Sequence, residues 1–490
     1  MPRHQVCEGQ DFRLTSFKMT DFVSFRDPSG RLKVKNDRVL RLLFPESVPV
    51  MREIIASPWY RAMVEQGDVV ASIQLDSAEA DALWPDRPDG SLVLEHPRIF
   101  FPSFPYEWTD GMLADAGRLT LRLARSLSAE NMELKDGTPY NVLFDGARPV
   151  FVDIPSIQTH SDRSPIWKAE AQFIRTFSLP LLATGYFQVH LPQIFLTERD
   201  GLEPSTLYRM SSWPRRLLPP FLLLVTLPVW LGSLVKNVDS AIYRQALQME
   251  PPRARQVLLA LFRRLERSLP LPGKRKSILR SHWASYMNDI GHYSESDFKR
   301  KEEFVQKVIM ATRPKTVLDI GANTGHFSRM AAEAGAKVVA LERDRAAAEH
   351  IYANSVREGA DILPLVVDFA RPSPATGWRN LEHPSFIARA ENRFELVLML
   401  AVVHHFQVSE GIPLPEIIRL AACLCLKTMV IEFVSQADPK FRQMTRGREL
   451  LFTQHTSGNF EDIVKRHFSI TQKLPLENGS RILYVCQKNS

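Results

Sequence analysis

The stretch Val317-Leu-Asp-Ile-Gly-Ala-Asn-Thr-Gly-His-Phe-Ser328 constrains this chain more than any other. An apolar run ends at Asp319, glycines follow at 321 and 325, and helix-forming sequence resumes. That order predicts a strand, a tight turn and a helix N-terminus. Glycine accepts the left-handed backbone such a turn needs, and it leaves main-chain N–H groups open to a ligand. A second apolar run, Lys337-Val-Val-Ala-Leu-Glu342, closes on a carboxylate. At a neighbouring strand end, Glu342 can accept both hydroxyls of a ribose; the plainer reading leaves it solvated. The spacing Asp-x-Gly-x-Asn-x-Gly departs from Gly-x-Gly-x-x-Gly, so this loop can face an amino-acid moiety instead of a pyrophosphate. Another nucleotide-binding turn is the alternative.

A chain of 490 residues divides into two or three domains, because single cores stop growing well below that length. Hydrophobic content of 44% and charged content of 24% describe an ordinary globular protein, and a net charge of +7 does not require an anionic partner. Four cysteines (Cys7, Cys423, Cys425, Cys486) are too few for a disulfide framework. Cys423 and Cys425 stand too close for a Cys-x-x-Cys pair. Reduced thiols and an N-terminus without an apolar leader predict a cytoplasmic protein.

Three regions follow from the patterning. Residues 1–195 mix strand-like and helix-like segments, an α+β arrangement. Residues 196–300 form a proline-punctuated helical connector with basic runs at Arg263-Arg264 and Lys274-Arg-Lys276, read as solvated helix faces. Within it, Leu217–Val235 is apolar enough for a membrane span, but Pro219, Pro220 and Pro228 each remove a backbone donor. An internal hydrophobic connector is the favoured reading, and contact with a membrane surface is the second. Residues 301–490 alternate strands and helices, which predicts an α/β domain built on a mostly parallel sheet. Its expected strands are Thr316–Ile320, Lys337–Glu342, Ile362–Val367, Phe394–Leu400 and Thr428–Phe433. Helices are expected from Gly325 and over Arg345–Arg357 and Leu414–Leu424. A closing antiparallel pair, Phe468–Gln472 with Arg481–Gln487, is joined at Asn478-Gly479.

Open α/β sheets bind ligands beyond the carboxyl ends of their strands. Asp319, Glu342, Asp368 and Leu400–His405 all fall at such ends. A helix-capping role is the plainer reading of Asp368. Near neutral pH either His404 or His405 could take a proton from a reacting hydroxyl, although adjacent histidines cannot both face one pocket. The alternative is a structural role for both at a helix start. They lack a third ligand at suitable spacing, so no metal site is expected. No Asn/Asp-Pro-Pro-Tyr follows the fourth strand and no cysteine stands there, which argues against chemistry on nucleic-acid bases.

The glycine loop resembles motif I of class I S-adenosylmethionine-dependent methyltransferases. More widely, residues 95–490 resemble a bacterial methyltransferase family related to rhizobial nodulation proteins. The resemblance is carried by Ser103-Phe-Pro-Tyr-Glu-Trp108, Leu134-Lys-Asp136 through Asn141, Pro149-Val-Phe-Val-Asp153, the loop itself, Ile362–Asp368, Pro372-Ser-Pro374 with Gly377-Trp378, Val403-His-His405, and Val430-Ile-Glu-Phe-Val434 with Asp438-Pro439. It implies a Rossmann-like, seven-stranded sheet ending in an antiparallel hairpin, with S-adenosyl-L-methionine as cofactor. By the same resemblance Asp319 and Gly321 line the methionine end, and Asn323 and Gly325 shape the loop. Glu342 takes the ribose, Asp368 and Phe369 meet the adenine, and Leu400 borders the reacting methyl. Glu342 stands where the family more often has Asp, which lengthens the reach. Glu432, at the end of the fifth strand, is a further candidate for the pocket wall. The expected acceptor is a small molecule, a glycan or another non-nucleic-acid compound.

The N-terminal region carries a second constellation. Asp136 and Asn141 have the separation found in kinase catalytic loops, and Asp153 follows at a strand end. The helical pattern over Trp108–Ala129 precedes them, as a kinase-like fold requires. No phosphate-binding glycine loop or strand lysine stands upstream, so a degenerate kinase-like domain is expected. The alternatives for this constellation are retained phosphotransfer and a chance spacing. For the whole chain, the alternatives to a methyltransferase are a kinase-like phosphotransferase joined to a cofactor-binding module, and a non-catalytic adaptor that senses cofactor.

Overall fold

The computed structural model describes residues 22–24, 26–35, 37–234, 248–270, 295–476 and 479–489. Cys7, the Lys274–Lys276 run and Asn478 of the expected hairpin turn lie outside the described residues.

Near the N-terminus, β1 (Phe22–Val23), β2 (Gly30–Lys35), β3 (Arg38–Leu43), β4 (Ile73–Gln74) and β5 (Leu92–His96) form one antiparallel sheet in the order β1-β2-β3-β5-β4. Asp37, with φ of +67°, makes the tight reversal between β2 and β3. Helix α1 (Asp110–Leu127) follows, its N-terminus capped by the Thr109 hydroxyl, which accepts from the Met112 N–H at 3.2 Å. Met112, Leu113, Ala116, Leu119, Leu123 and Leu127 recur three and four residues apart and are all buried. Two small pairs complete the region: β6 (Met132–Leu134) with β9 (Ile157–Thr159), and β7 (Val142–Asp145) with β8 (Arg148–Phe151).

The connector is broken into short helices, among them Trp213–Arg216 and a π-helical turn Leu222–Thr226 running into Leu227–Leu234, followed by the longer helix Pro251–Ser268. Among the described residues no helix is long and apolar enough to cross a membrane. Helix α2 (Glu295–Thr312) continues through position 300, across the expected domain border.

The C-terminal sheet contains β10 (Thr316–Ile320), β11 (Lys337–Glu342), β12 (Ile362–Val366), β13 (Phe394–Met399), β14 (Cys425–Val434), β15 (Phe468–Leu476) and β16 (Arg481–Lys488). Their order is β12-β11-β10-β13-β14-β16-β15, with β16 antiparallel to both neighbours and the other pairings parallel. Helices α3 (His326–Glu333), α4 (Arg345–Glu358), α5 (Val403–Val408) and α6 (Leu414–Leu424) connect them. β10 and β11 have the expected limits because continuous apolar runs mark strands buried on both faces. β14 begins three residues early and β15 extends to Leu476. β15's ladder with β16 continues through residues whose exposed, polar face gave no hydrophobic signal, and β14 starts early because buried Cys425 already pairs with Phe394 of β13.

The N-terminal region and the C-terminal sheet share a core. One cluster of buried apolar side chains runs from Leu43 and Trp108 through Phe262 to Leu365 and Tyr484. Across the seam, Arg345 Nη2 donates to both Asp110 oxygens at 3.0 and 3.1 Å, and the Gly111 N–H donates to Glu349 at 2.9 Å. The Tyr352 hydroxyl donates to Asp115 at 2.7 Å.

Candidate active site

The bend after β10 is held in a conformation that its sequence anticipates. Gly321 (φ +75°), Asn323 (φ +52°) and Gly325 (φ +81°) are all left-handed. A Cβ at Gly325 would lie 2.9 Å from Ile351 Cγ1, and one at Gly321 would lie 3.1 Å from Val402 Cγ2. The Gly321 and Ala322 N–H groups both donate to Leu341 O at 2.9 Å, which lashes the bend to the end of β11.

Asp319 is buried beneath this bend and accepts from the Ser328 hydroxyl on α3 at 2.6 Å. Burial raises its carboxyl to about 6, against the pull of that hydrogen bond. Glu342 is not a solvated carboxylate. One oxygen accepts from the Asn323 N–H and the other from the Asp344 N–H, each at 2.8 Å. Desolvation pushes it up to about 7, with the two backbone donors acting the other way. Asn323 Oδ1 is buried without a hydrogen-bond partner, an unsatisfied acceptor on the bend itself.

Asp368 follows β12 and caps its own turn, accepting from the Ala370 N–H at 3.0 Å. Arg343 and Arg371 approach its other oxygen at 3.7 and 3.5 Å, and both also reach Glu410. Arg343, next to Glu342, therefore ties the ends of β11 and β12 together. Phe369 is buried, with its ring 5.4 Å from that of Phe406 on α5. β13 delivers Leu400, also buried, to the edge of the same bend, since Asp319 is in register with Leu398.

His404 and His405 open α5, with rings 4.2 Å apart. Burial holds His404 well below the usual imidazole range, and His405 down to about 4 with help from Lys440 and Arg343. Both rings are thus neutral at pH 7. His404 Nδ1 is buried and accepts or donates no hydrogen bond.

Sequence reasoning missed a buried ionic network beside these strand ends. Lys301 on α2 donates to Glu432 at 2.6 Å; Arg481 reaches Glu432 at 3.5 Å and Asp438 at 2.8 Å. All four side chains are buried. Only Glu432 and Asp438 lay in motifs. Lys301 stands in the charged run Lys299-Arg-Lys-Glu-Glu303, and no local spacing distinguishes it.

A cavity of about 170 Å³ lies between α3 and α4, lined by Thr324, Gly325, His326, Arg329, His350 and Asn354, so it touches the bend at Gly325. None of Asp319, Glu342, Asp368 or Leu400 borders it. In the N-terminal region, Asp153 pairs with Arg41 on β3 at 3.1 Å, and Asp27 lies 3.7 Å from the same guanidinium. Asp136 is raised by burial and by Asp153 and Asp27, partly offset by Lys135. Among the described residues, no group of three or more His, Cys, Asp and Glu side chains is placed to hold a metal ion.

Residues 292–464 match a family model described as a methyltransferase domain. Nodulation protein NoeA of Rhizobium meliloti (strain 1021) is 28% identical over 472 residues, covering 95% of each chain. Among solved structures, N-methyltransferase NodS from Bradyrhizobium japonicum WM9 aligns over 40% of this chain and 99% of its own, at 10% identity and a TM-score of 0.30. Magnesium protoporphyrin IX methyltransferase from Synechocystis PCC 6803, with bound SAH, aligns over 40% of this chain and 84% of its own, at 16% identity and a TM-score of 0.29.

Proposed function

The chain is an S-adenosyl-L-methionine-dependent methyltransferase, and we propose that the bend at 321–325 and the adjoining strand ends hold its cofactor. Gly321 and Asp319 would border the methionine end, with Asn323 and Gly325 setting the loop. Glu342 would accept from the ribose hydroxyls, and Asp368 would accept from the adenine amine beside Phe369. Leu400 would close the pocket near the reacting carbon. The observation that carries this reading is the pair of acceptors facing one bend: the Glu342 carboxylate, and Asn323 Oδ1, buried and lacking a donor. A bound amino-acid or ribose moiety would supply the donor that Asn323 Oδ1 lacks, and the ribose hydroxyls would add to the two N–H donors already on Glu342.

When bound, the cofactor supplies an electrophilic methyl group, and the protein's task is alignment and proton removal. His404 or His405 would accept the acceptor's proton, since both rings are held neutral and follow β13 by a few residues. The unpartnered Nδ1 favours His404. The acceptor would be a small molecule or glycan rather than a nucleic acid.

The reading divides the chain at 1–195, 196–300 and 301–490, with the first part a degenerate kinase-like scaffold that presents the acceptor. Asp153 is occupied by the Arg41 guanidinium, where a phosphotransferase of that kind would hold magnesium. Calorimetry with S-adenosylhomocysteine tests the site. Gly321→Arg and Glu342→Ala should each weaken binding, and unchanged affinity in both variants would reject the assignment. Mass spectrometry of metabolites and glycans from cells with and without the protein then searches for the acceptor.

A further inference from the structure

The connector presents an apolar ridge where a soluble surface would be polar. On the helical run through Leu222–Thr226 and Leu227–Leu234, the side chains of Phe221, Leu224 and Val225 are buried. The opposite side is apolar too: Leu223 is 47% exposed, Leu227 36%, Trp230 44% and Leu231 58%. These four are spaced i, i+4, i+7 and i+8, so they form one outward stripe. Trp213, Leu217 and Leu218, just before, are exposed at 72%, 46% and 60%. A helix apolar on both sides, with one side already packed on the protein, has its other side available to a non-aqueous partner.

The charge around the stripe selects the partner. Between Glu203 and Asp239 the sequence has no acidic residue, but it has Arg209, Arg215, Arg216 and Lys236. Among the described residues none of the three arginines pairs with a carboxylate; Arg215 lies over the Tyr186 ring at 5.4 Å and Arg216 over Tyr208 at 3.8 Å. Trp230 donates to the Tyr208 hydroxyl at 3.1 Å. Tryptophans beside uncompensated arginines, bordering exposed leucines, match the layering of a bilayer interface, with acyl chains below and anionic headgroups above. No described helix is long and apolar enough to span the bilayer. We propose that this stripe seats the protein on the surface of a membrane containing anionic lipid, as an interfacial contact.

Flotation of the full chain with vesicles tests the proposal. Vesicles of equal parts phosphatidylglycerol and phosphatidylcholine should carry the protein, and phosphatidylcholine alone should carry far less. The quadruple variant Leu223→Ser, Leu227→Ser, Trp230→Ser, Leu231→Ser should lose binding while still binding S-adenosylhomocysteine, which reports that it folds. Arg209→Gln with Arg215→Gln should weaken association by about tenfold or more and flatten its dependence on anionic lipid. As a milder probe, brominated lipid should quench the tryptophan fluorescence of the parent protein, and Trp213→Phe with Trp230→Phe should remove most of that quenching. Failure of the parent protein to float with either vesicle would overturn the proposal. So would equal flotation of the quadruple variant, or a dimer that the serine substitutions dissociate in the absence of any vesicle binding.

Discussion

Arg389 and Glu107 form an ion pair with both side chains buried, joining the segment between β12 and β13 to the loop ahead of α1. Arg389 also donates to Pro102 O, and its guanidinium lies 5.0 Å from the Phe101 and Phe104 ring centres. Removing one partner strands the other charge in a low-dielectric seam. Glu107→Ala or Arg389→Ala should each cost about 3–5 kcal/mol in urea denaturation, and Glu107→Leu with Arg389→Met should cost less than either. Additive losses in the double variant would mean the two do not act as a pair.

With Glu342 on the ribose, as proposed, its protonation should couple to both folding and cofactor binding. Its carboxyl lies at about 7 in the fold against an ordinary 4.5, so the folded state holds the proton more tightly. Stability from this group is therefore present below the ordinary value and is lost as pH rises toward about 7. Cofactor binding should run the opposite way, because the ribose hydroxyls donate best to the ionised form. Affinity for S-adenosylhomocysteine should improve about tenfold between roughly pH 6 and roughly pH 8. Glu342→Gln should flatten that profile; a parallel profile in the variant would assign the titration elsewhere.

Gly325 and Gly359 provide an internal comparison. Both are left-handed, but a Cβ at Gly359 meets open space and one at Gly325 meets Ile351. Gly359→Ala should cost only the backbone penalty of about 1–2 kcal/mol. Gly325→Ala should cost more and also weaken cofactor binding. Thermal unfolding with and without S-adenosylhomocysteine would separate the two, and equal losses would show that Ile351 yields freely.

The Lys301–Glu432 pair should behave as a structural unit. Lys301→Met and Glu432→Leu should each destabilise by about 3–5 kcal/mol, with the double variant recovering part of the loss. A double variant no better than the worse single one would count against this pairing.

For catalysis, His404→Asn and His405→Asn are informative as a pair. The variant lacking the proton acceptor should lose about 10²–10⁴-fold in transfer of labelled methyl to cell extract, with S-adenosylhomocysteine affinity retained. Full transfer in both variants would remove the histidines from the mechanism.

Much of the C-terminal domain was legible in the sequence, because its signals are local. Continuous apolar runs marked β10, β11 and β13, and glycines marked the bend whose positive φ values they supply. The strand-end positions of Asp319, Glu342 and Asp368 followed from those runs and from the rule that parallel sheets gather their ligands at one edge. What only the tertiary structure decided depends on partners distant in sequence. The segment Ser103–Trp108 read as an unusual motif; its role as a seam, with Trp108 donating to Ser103 at 2.9 Å and Glu107 holding Arg389, required the other domain. Nothing local to Lys301 marks it as buried; its partner Glu432 lies 131 residues away in sequence. The connector's second apolar side could not be told from its first, since periodicity records that a residue is apolar but not which neighbour covers it. Burial is a property of the assembled core, and a chain specifies it only by folding.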